Sequence, residues 1–121
     1  MAKLVKKSFH QPDELQTPDK TYTAVVKLGP VTAIKTIRKP GWKWSECIGS
    51  LVGREICHDS HVGTVVSGSL TVVCDDGEEI TVSAGDAYSF APGHDGWVVG
   101  DEDFVAFEFS ALSAEPVNPG D

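Results

Sequence analysis

The sequence predicts an all-β domain, an antiparallel sandwich or barrel, on three observations. Turn signals recur from the middle of the chain onward at intervals of seven to nine residues: Gly68, Asp75-Asp76-Gly77, Ala84-Gly85-Asp86, Pro92-Gly93 and Gly100-Asp101. The stretches between them are filled with β-branched and aromatic residues. No window of ten or more residues carries apolar positions at i, i+3, i+4 and i+7, so helix is a minor component.

Taken in order, Asp13 and Glu14 suit the first turn of a short helix at Pro12–Leu15. Thr21–Leu28 and Val31–Arg38 read as strands joined by Gly29-Pro30, whose fixed proline φ suits a turn, and Pro40-Gly41 stops the second. Val62–Val73 makes two strands around Gly68; Glu79–Ser83, Ala87–Phe90, Trp97–Val99 and Phe104–Phe109 follow. In the last of these, alternation sets Phe104, Ala106 and Glu108 on one face and Val105, Phe107 and Phe109 on the other, and one of the two faces is core. Residues 1–40 are expected to be a basic N-terminal arm with the first strands of the same domain, 41–110 the barrel core, and 111–121 a frayed tail, since Ser113–Asp121 has no apolar pattern.

At 121 residues the chain holds one domain with a single core and no second one. Ten Lys and Arg stand against 18 Asp and Glu, a net charge of −8, which offers no general footprint for nucleic acid. The charge is uneven. Residues 1–40 hold eight cations against Asp13, Glu14 and Asp19, a balance of +5, whereas 41–121 hold Lys43 and Arg54 against fifteen acids, a balance of −13. Two solvated faces of opposite sign account for this, and so does a basic arm lying across an acidic barrel, its own or a partner's. Cys47, Cys57 and Cys74 are odd in number and irregularly spaced, so no disulfide framework is expected. The N-terminal stretch MAKLVKKSFHQPDEL has no apolar run, so neither a signal peptide nor a membrane partner is expected, and the reading is cytoplasmic.

Thr64-Val65-Val66-Ser67-Gly68-Ser69-Leu70-Thr71-Val72, and Ala84-Gly85-Asp86 followed by Ala91-Pro92-Gly93-His94, carry a family resemblance. The first is similar to the strand–Gly–strand that closes the first conserved motif of the cupins, the second to the hairpin of their second motif. Sixteen residues, Ser69 to Ala84, separate them, a gap typical of compact bacterial single-domain cupins. The resemblance covers about seventy residues, from Gly41 to Phe109. It implies a cupin-type double-stranded β-helix (jelly-roll) barrel, mostly antiparallel, and a homodimer formed through N-terminal strands.

Carried over position by position, the family's metal ligands fall on other residue types. Counting back from Gly68, its Glu falls on His61 and its two first-motif His on Cys57 and Glu55; its last His falls on Gly96. The substitutes are themselves ligating types. On an extended strand Glu55 and Cys57 share a face, and His94, two residues before Gly96, points the same way as Gly96. Cys57, His61 and His94 are therefore the candidate metal ligands, with Glu55 as a further ligand or catalytic base. Carboxylate and imidazole suit Fe, Mn, Ni or Zn, and a thiolate shifts preference toward Zn. Asp95 is placed to accept a proton from the His94 ring and orient it. Trp42 and Trp44 share a face, and Trp44 and Trp97 are the candidate walls of a ligand pocket. His58 is expected to face away from Cys57, and His10 carries no assignment.

Two functions remain open from these residues. One is a cupin enzyme using a divalent metal ion (Zn, Fe, Mn or Ni) on a small organic acid or sugar-like substrate, by oxygenation, isomerisation or hydrolysis. The other is a metal-free barrel that binds or senses a small-molecule ligand with the same residues.

Overall fold

A computed structural model describes residues 3–57 and 59–111. The chain runs through β1 (Glu14–Gln16), β2 (Thr21–Lys27), β3 (Val31–Arg38), α1 (Trp44–Cys47), α2 (Gly49–Val52), β4 (His61–Ser67), β5 (Ser69–Cys74), β6 (Glu79–Ser83), β7 (Ala87–Phe90), β8 (His94–Val99) and β9 (Phe104–Ala111). Two sheets pack face to face, one in the order β1-β2-β3-β9-β4-β7 and the other β6-β5-β8. Every strand ladder among the described residues is antiparallel, as in β3 with β9, where all eight residues pair from Val31↔Ala111 to Arg38↔Phe104. The helices are one turn each, too short to leave a periodic signal. Among the described residues no helix is long and apolar enough to cross a membrane.

Alternation decides what faces the core. On β9 the inward face is that of Phe104 and Ala106, both buried, while Phe109 is exposed. Cross-strand register then aligns Thr36 with Ala106 and Ile34 with Glu108 on the same side. The opposite sheet contributes Leu70, Val72, Val82 and Val98, and Trp42, Trp44 and Ile48 close one end of the resulting cluster. Gly68, at φ 77°, turns β4 into β5 where any Cβ would collide with the Asp103 carbonyl, so a side chain is excluded twice over. Outside the sandwich Phe9 lies against Phe107, with ring centroids 5.5 Å apart.

Three expectations require correction. Residues Glu14–Gln16 form strand β1, not a helical turn at Pro12–Leu15. The Asp13 carboxylate accepts the Lys27 backbone N–H at 2.7 Å and the Lys7 ammonium at 3.0 Å, which fastens the segment to the edge of β2. The extended strand expected through Glu55 and Cys57 is absent, because α1 and α2 occupy 44–52 and an irregular segment leads on to β4. Ala111 belongs to β9 instead of a tail; residues 112–121, like His58, lie outside the described residues. Three of the eight cations of the N-terminal segment pair with its own acids, Lys7 with Asp13, Lys20 with Asp19 and Lys27 with Glu14. These contacts are solvent-exposed and contribute little each.

Candidate metal centre

The fold brings Cys57, His61 and His94 together, with one ligating atom of each within 4.8 Å of the others. Each arrives from a different constraint. His61 opens β4 and His94 opens β8. Cys57 is held to the start of β8 by backbone bonds in both directions, its N–H donating to the His94 carbonyl at 2.6 Å and its carbonyl accepting from Gly93 at 2.7 Å. Its side chain is fully buried.

Both histidines are anchored through Nδ1. His94 donates that N–H to the Ala91 carbonyl at 2.7 Å, and His61 donates to Glu108 Oε1 at 2.9 Å. A carbonyl and a carboxylate can only accept, so Nδ1 carries the proton in each ring and Nε2 is left to ligate. His61 Nε2 stands 3.6 Å from Cys57 Sγ. A tetrahedral ion with metal–sulfur and metal–nitrogen bonds of about 2.3 and 2.05 Å has an S···N edge of about 3.5 Å. The Cys57–His61 edge matches that of such an ion, whereas the widest separation in the group, 4.8 Å, is longer than a tetrahedral edge. One thiolate and two imidazoles would therefore hold a metal ion once their side chains close by about 1 Å, with a fourth position left to a ligand. Gly96, the next inward residue of β8, brings no side chain to fill it.

Glu108 is the carboxylate of this site. Its Oε2 accepts the Tyr88 hydroxyl at 2.6 Å, so the two carboxylate oxygens hold a phenol and an imidazole. Gly63 makes the room: a Cβ there would strike the Phe107 carbonyl and come within 2.9 Å of both the Glu108 Cγ and the Tyr88 hydroxyl. Burial pushes Glu108 up, but the charge and hydrogen bonds of His61 outweigh it and hold the carboxyl below its ordinary value. Burial likewise opposes charge on His61, and Glu108 outweighs it, so the imidazole lies well above its ordinary range. Burial raises the Cys57 thiol, yet the hydrogen bonds of His61 and His94 prevail and bring it below the usual thiol value.

A cavity of about 60 Å³ adjoins these residues. At roughly 10–15 Å³ per water it holds a few water molecules or a ligand of a few heavy atoms. His61, His94 and Glu108 form part of its wall, Trp42, Trp44 and Arg38 another part, and Leu70, Val72, Phe90 and Phe104 are apolar. Two polar groups in this wall are incompletely used. Trp44 Nε1–H is buried and has no acceptor among the described residues, a deficit worth about 1–3 kcal/mol. Arg38 makes its hydrogen bonds through Nη1 alone, to the carbonyls of Tyr22 (3.2 Å) and Ile37 (3.2 Å) and to Thr23 Oγ1 (3.0 Å). Burial lowers the guanidinium to about 10, which leaves it charged at neutral pH.

Three of the expected roles fall elsewhere. Glu55 is exposed in the irregular segment after α2 and takes no part in the group, because the strand that would have turned it inward does not form. Trp97 alternates with the inward His94, Gly96 and Val98 on β8 and so faces out, beneath Lys43 Nζ at 5.8 Å; of the two candidate pocket tryptophans Trp44 alone lines the cavity, together with Trp42. Asp95 also faces out and accepts from the Ser45 backbone N–H (3.0 Å) and hydroxyl (2.9 Å), which ties α1 to β8 and leaves the orienting of His94 to Ala91.

The architecture is the double-stranded β-helix of the cupins. No protein-family model matches the chain, and no curated protein matches its sequence. The likeness is to solved structures. One is an uncharacterized conserved protein with a double-stranded β-helix domain from Klebsiella pneumoniae, 19% identical, TM-score 0.59, covering 88% of this chain and 84% of that one. A second is KdgF from Halomonas sp., 20% identical, TM-score 0.57, covering 84% and 88%. A third is Bacillus subtilis oxalate decarboxylase, described with Mn(II) centres, 18% identical, TM-score 0.58, covering 89% of this chain and 29% of that one.

Proposed function

We propose that this protein is a metal-dependent cupin enzyme in which Cys57, His61 and His94 hold a divalent ion and a small organic substrate reaches it from the barrel cavity. The observation that carries this reading is the gathering of two imidazoles and a thiol sulfur within 4.8 Å of one another, each histidine anchored through Nδ1. Three protein ligands and an open fourth position characterise catalytic sites rather than closed structural ones. The Mn(II) centres of one protein with the same fold lend support. When bound, such an ion supplies Lewis acidity toward a carbonyl or a water. The protein's own part is to fix both imidazoles, keep Glu108 charged behind His61, and exclude bulk water with Phe90, Trp42 and Trp44.

The order Cys57–His61–Glu108 is also that of a nucleophile, base and orienting acid. That use is disfavoured by access, since Cys57 is 0% exposed and is not part of the cavity wall, so a substrate held there meets the histidines before it meets sulfur.

Protein purified without an affinity tag is expected to carry close to one equivalent of metal, and Cys57→Ala and His61→Ala to carry little. Adding the cognate ion to stripped wild type at about 100 times its dissociation constant stabilises by roughly 2.7 kcal/mol, a rise of several degrees in Tm. A wild type with no more metal than the variants, and a Tm indifferent to Zn, Fe, Mn and Ni, sinks the proposal and leaves the metal-free binding barrel.

A further inference from the structure

We propose that Arg38 and Trp44 form an anion subsite inside the barrel, which takes the carboxylate of a small organic acid whose other end faces the metal centre. Only the placement of that other end rests on the metal reading above; the subsite stands on residues that do not ligate.

Hydrogen-bond supply on this part of the wall is one-sided. Trp44 Nε1–H is a donor and nothing else, is buried, and has no acceptor among the described residues. Arg38 directs Nη1 at two carbonyls and a threonine hydroxyl, which leaves Nε and Nη2 without an acceptor among the described residues. Both side chains line the same cavity. The Trp42 ring covers the guanidinium at 5.2 Å and fixes its plane.

The charge of Arg38 is only partly met, by Glu108 acting on it without a direct ion pair. Glu108 lines the cavity, but its two oxygens are committed to His61 and Tyr88, and Arg38 has no ion pair among the described residues. A planar carboxylate meets a guanidinium edge in two parallel bonds and supplies the acceptor that the indole lacks. A sugar hydroxyl fits less well, since its own proton would face donors. The cavity of about 60 Å³ limits the acid to a few heavy atoms. Arg38 and His61 come from strands on either side of β9 and toward opposite ends of it, and both side chains line the cavity, so an acid seated on Arg38 shares that cavity with His61.

The test compares acetate with acetamide, which have the same shape and differ in charge, by ligand-dependent melting and calorimetric titration. Measurements use the full chain, in wild type, Cys57→Ala, Arg38→Gln and Trp44→Phe. Acetate is expected to bind at least tenfold more tightly than acetamide, with a loss of about tenfold or more in Arg38→Gln and several-fold in Trp44→Phe. Cys57→Ala is expected to keep the preference for acetate, so a failure of the metal reading and a failure of the subsite are told apart. Equal binding of acetate and acetamide by wild type overturns the subsite. Should Arg38→Gln not fold, because its backbone contacts are lost, Trp44→Phe decides: it keeps the ring and removes the N–H, and an unchanged acetate affinity in it also overturns the proposal.

Discussion

Replacing Glu108 with alanine is expected to lower the unfolding free energy by about 3–5 kcal/mol and to weaken metal binding by roughly 10- to 100-fold. The carboxylate is nearly enclosed, with 14% of its side chain exposed, and it satisfies two donors at once, His61 Nδ1 and the Tyr88 hydroxyl. Removing it strands a phenol and an imidazole in a space where water has little access, and frees the His61 ring to turn away from Cys57. Glu108→Gln keeps an acceptor and loses the charge, so it falls between alanine and wild type. Tyr88→Phe removes one hydrogen bond to a charged group and costs about 1.5–3 kcal/mol. Urea unfolding and competitive metal titration measure both effects. Glu55→Gln, on an exposed side chain, leaves both unchanged; an effect of Glu55 and none of Glu108 would reverse the assignment of the site's carboxylate.

Metal affinity is expected to rise with pH by at least about one logarithmic unit per pH unit between roughly pH 6 and 9, with at least one proton released per ion bound. Against its burial, Glu108 and Cys57 hold His61 up to about 10, so across this range its imidazole keeps a proton that an ion must displace. Cys57, held below its ordinary value, adds a second wherever it is still a thiol. The groups that face this pair are Glu108, which is anionic; His94; Tyr88, whose burial keeps it protonated; and the Arg38 cation. The metal-free protein behaves differently. A raised His61 contributes stability that is complete below its unfolded value of 6.5 and fades as pH rises through the higher folded value. A lowered Glu108 contributes stability that is complete above 4.5 and fades as pH falls through the lower folded value. The pair thus supports the metal-free fold most between about pH 4.5 and 6.5 and loses effect on either side. Calorimetry in buffers of different ionisation enthalpy counts the protons; an affinity flat from pH 6 to 9 is incompatible with the thiol–imidazole pair as ligands.

The strands were legible because turn chemistry sets their limits. Gly29-Pro30, Gly68 and Asp75–Gly77 each join two strands where the residues demanded it. What escaped was local structure without a period. Two one-turn helices leave no pattern, and the Asp13-Glu14 pair suits a helix start equally well until Lys27, fourteen residues on, supplies the donor that makes it a strand edge.

The site was legible to the extent that ligating chemistry marks it. Cys57, His61 and His94 stand out by residue type and by distance from Gly68 and Gly93, and the fold gathers them. Glu55 was misplaced because counting by twos holds only along a strand, and the strand begins at His61. Trp97 was misplaced for the converse reason, since β8 begins at His94 and parity from that residue turns the indole outward. Glu108 carried a readable signal: a carboxylate on the Phe104–Ala106 face of an apolar strand is costly unless something pairs with it. Arg38 carried a weaker one. It counts among the basic residues of the first forty, and only its parity with Ile34 and Thr36 on β3 distinguishes a cavity cation from a surface one.

X-ray absorption at the K-edge of the bound metal tests the central claim most directly, because it reads the donor atoms themselves. The expected spectrum has one sulfur at about 2.3 Å and two imidazole nitrogens at about 2.0–2.1 Å, with the sulfur shell gone in Cys57→Ser. A metal surrounded by light scatterers alone in the wild type, with the same spectrum in Cys57→Ser, would place the ion away from Cys57, His61 and His94 and contradict the account.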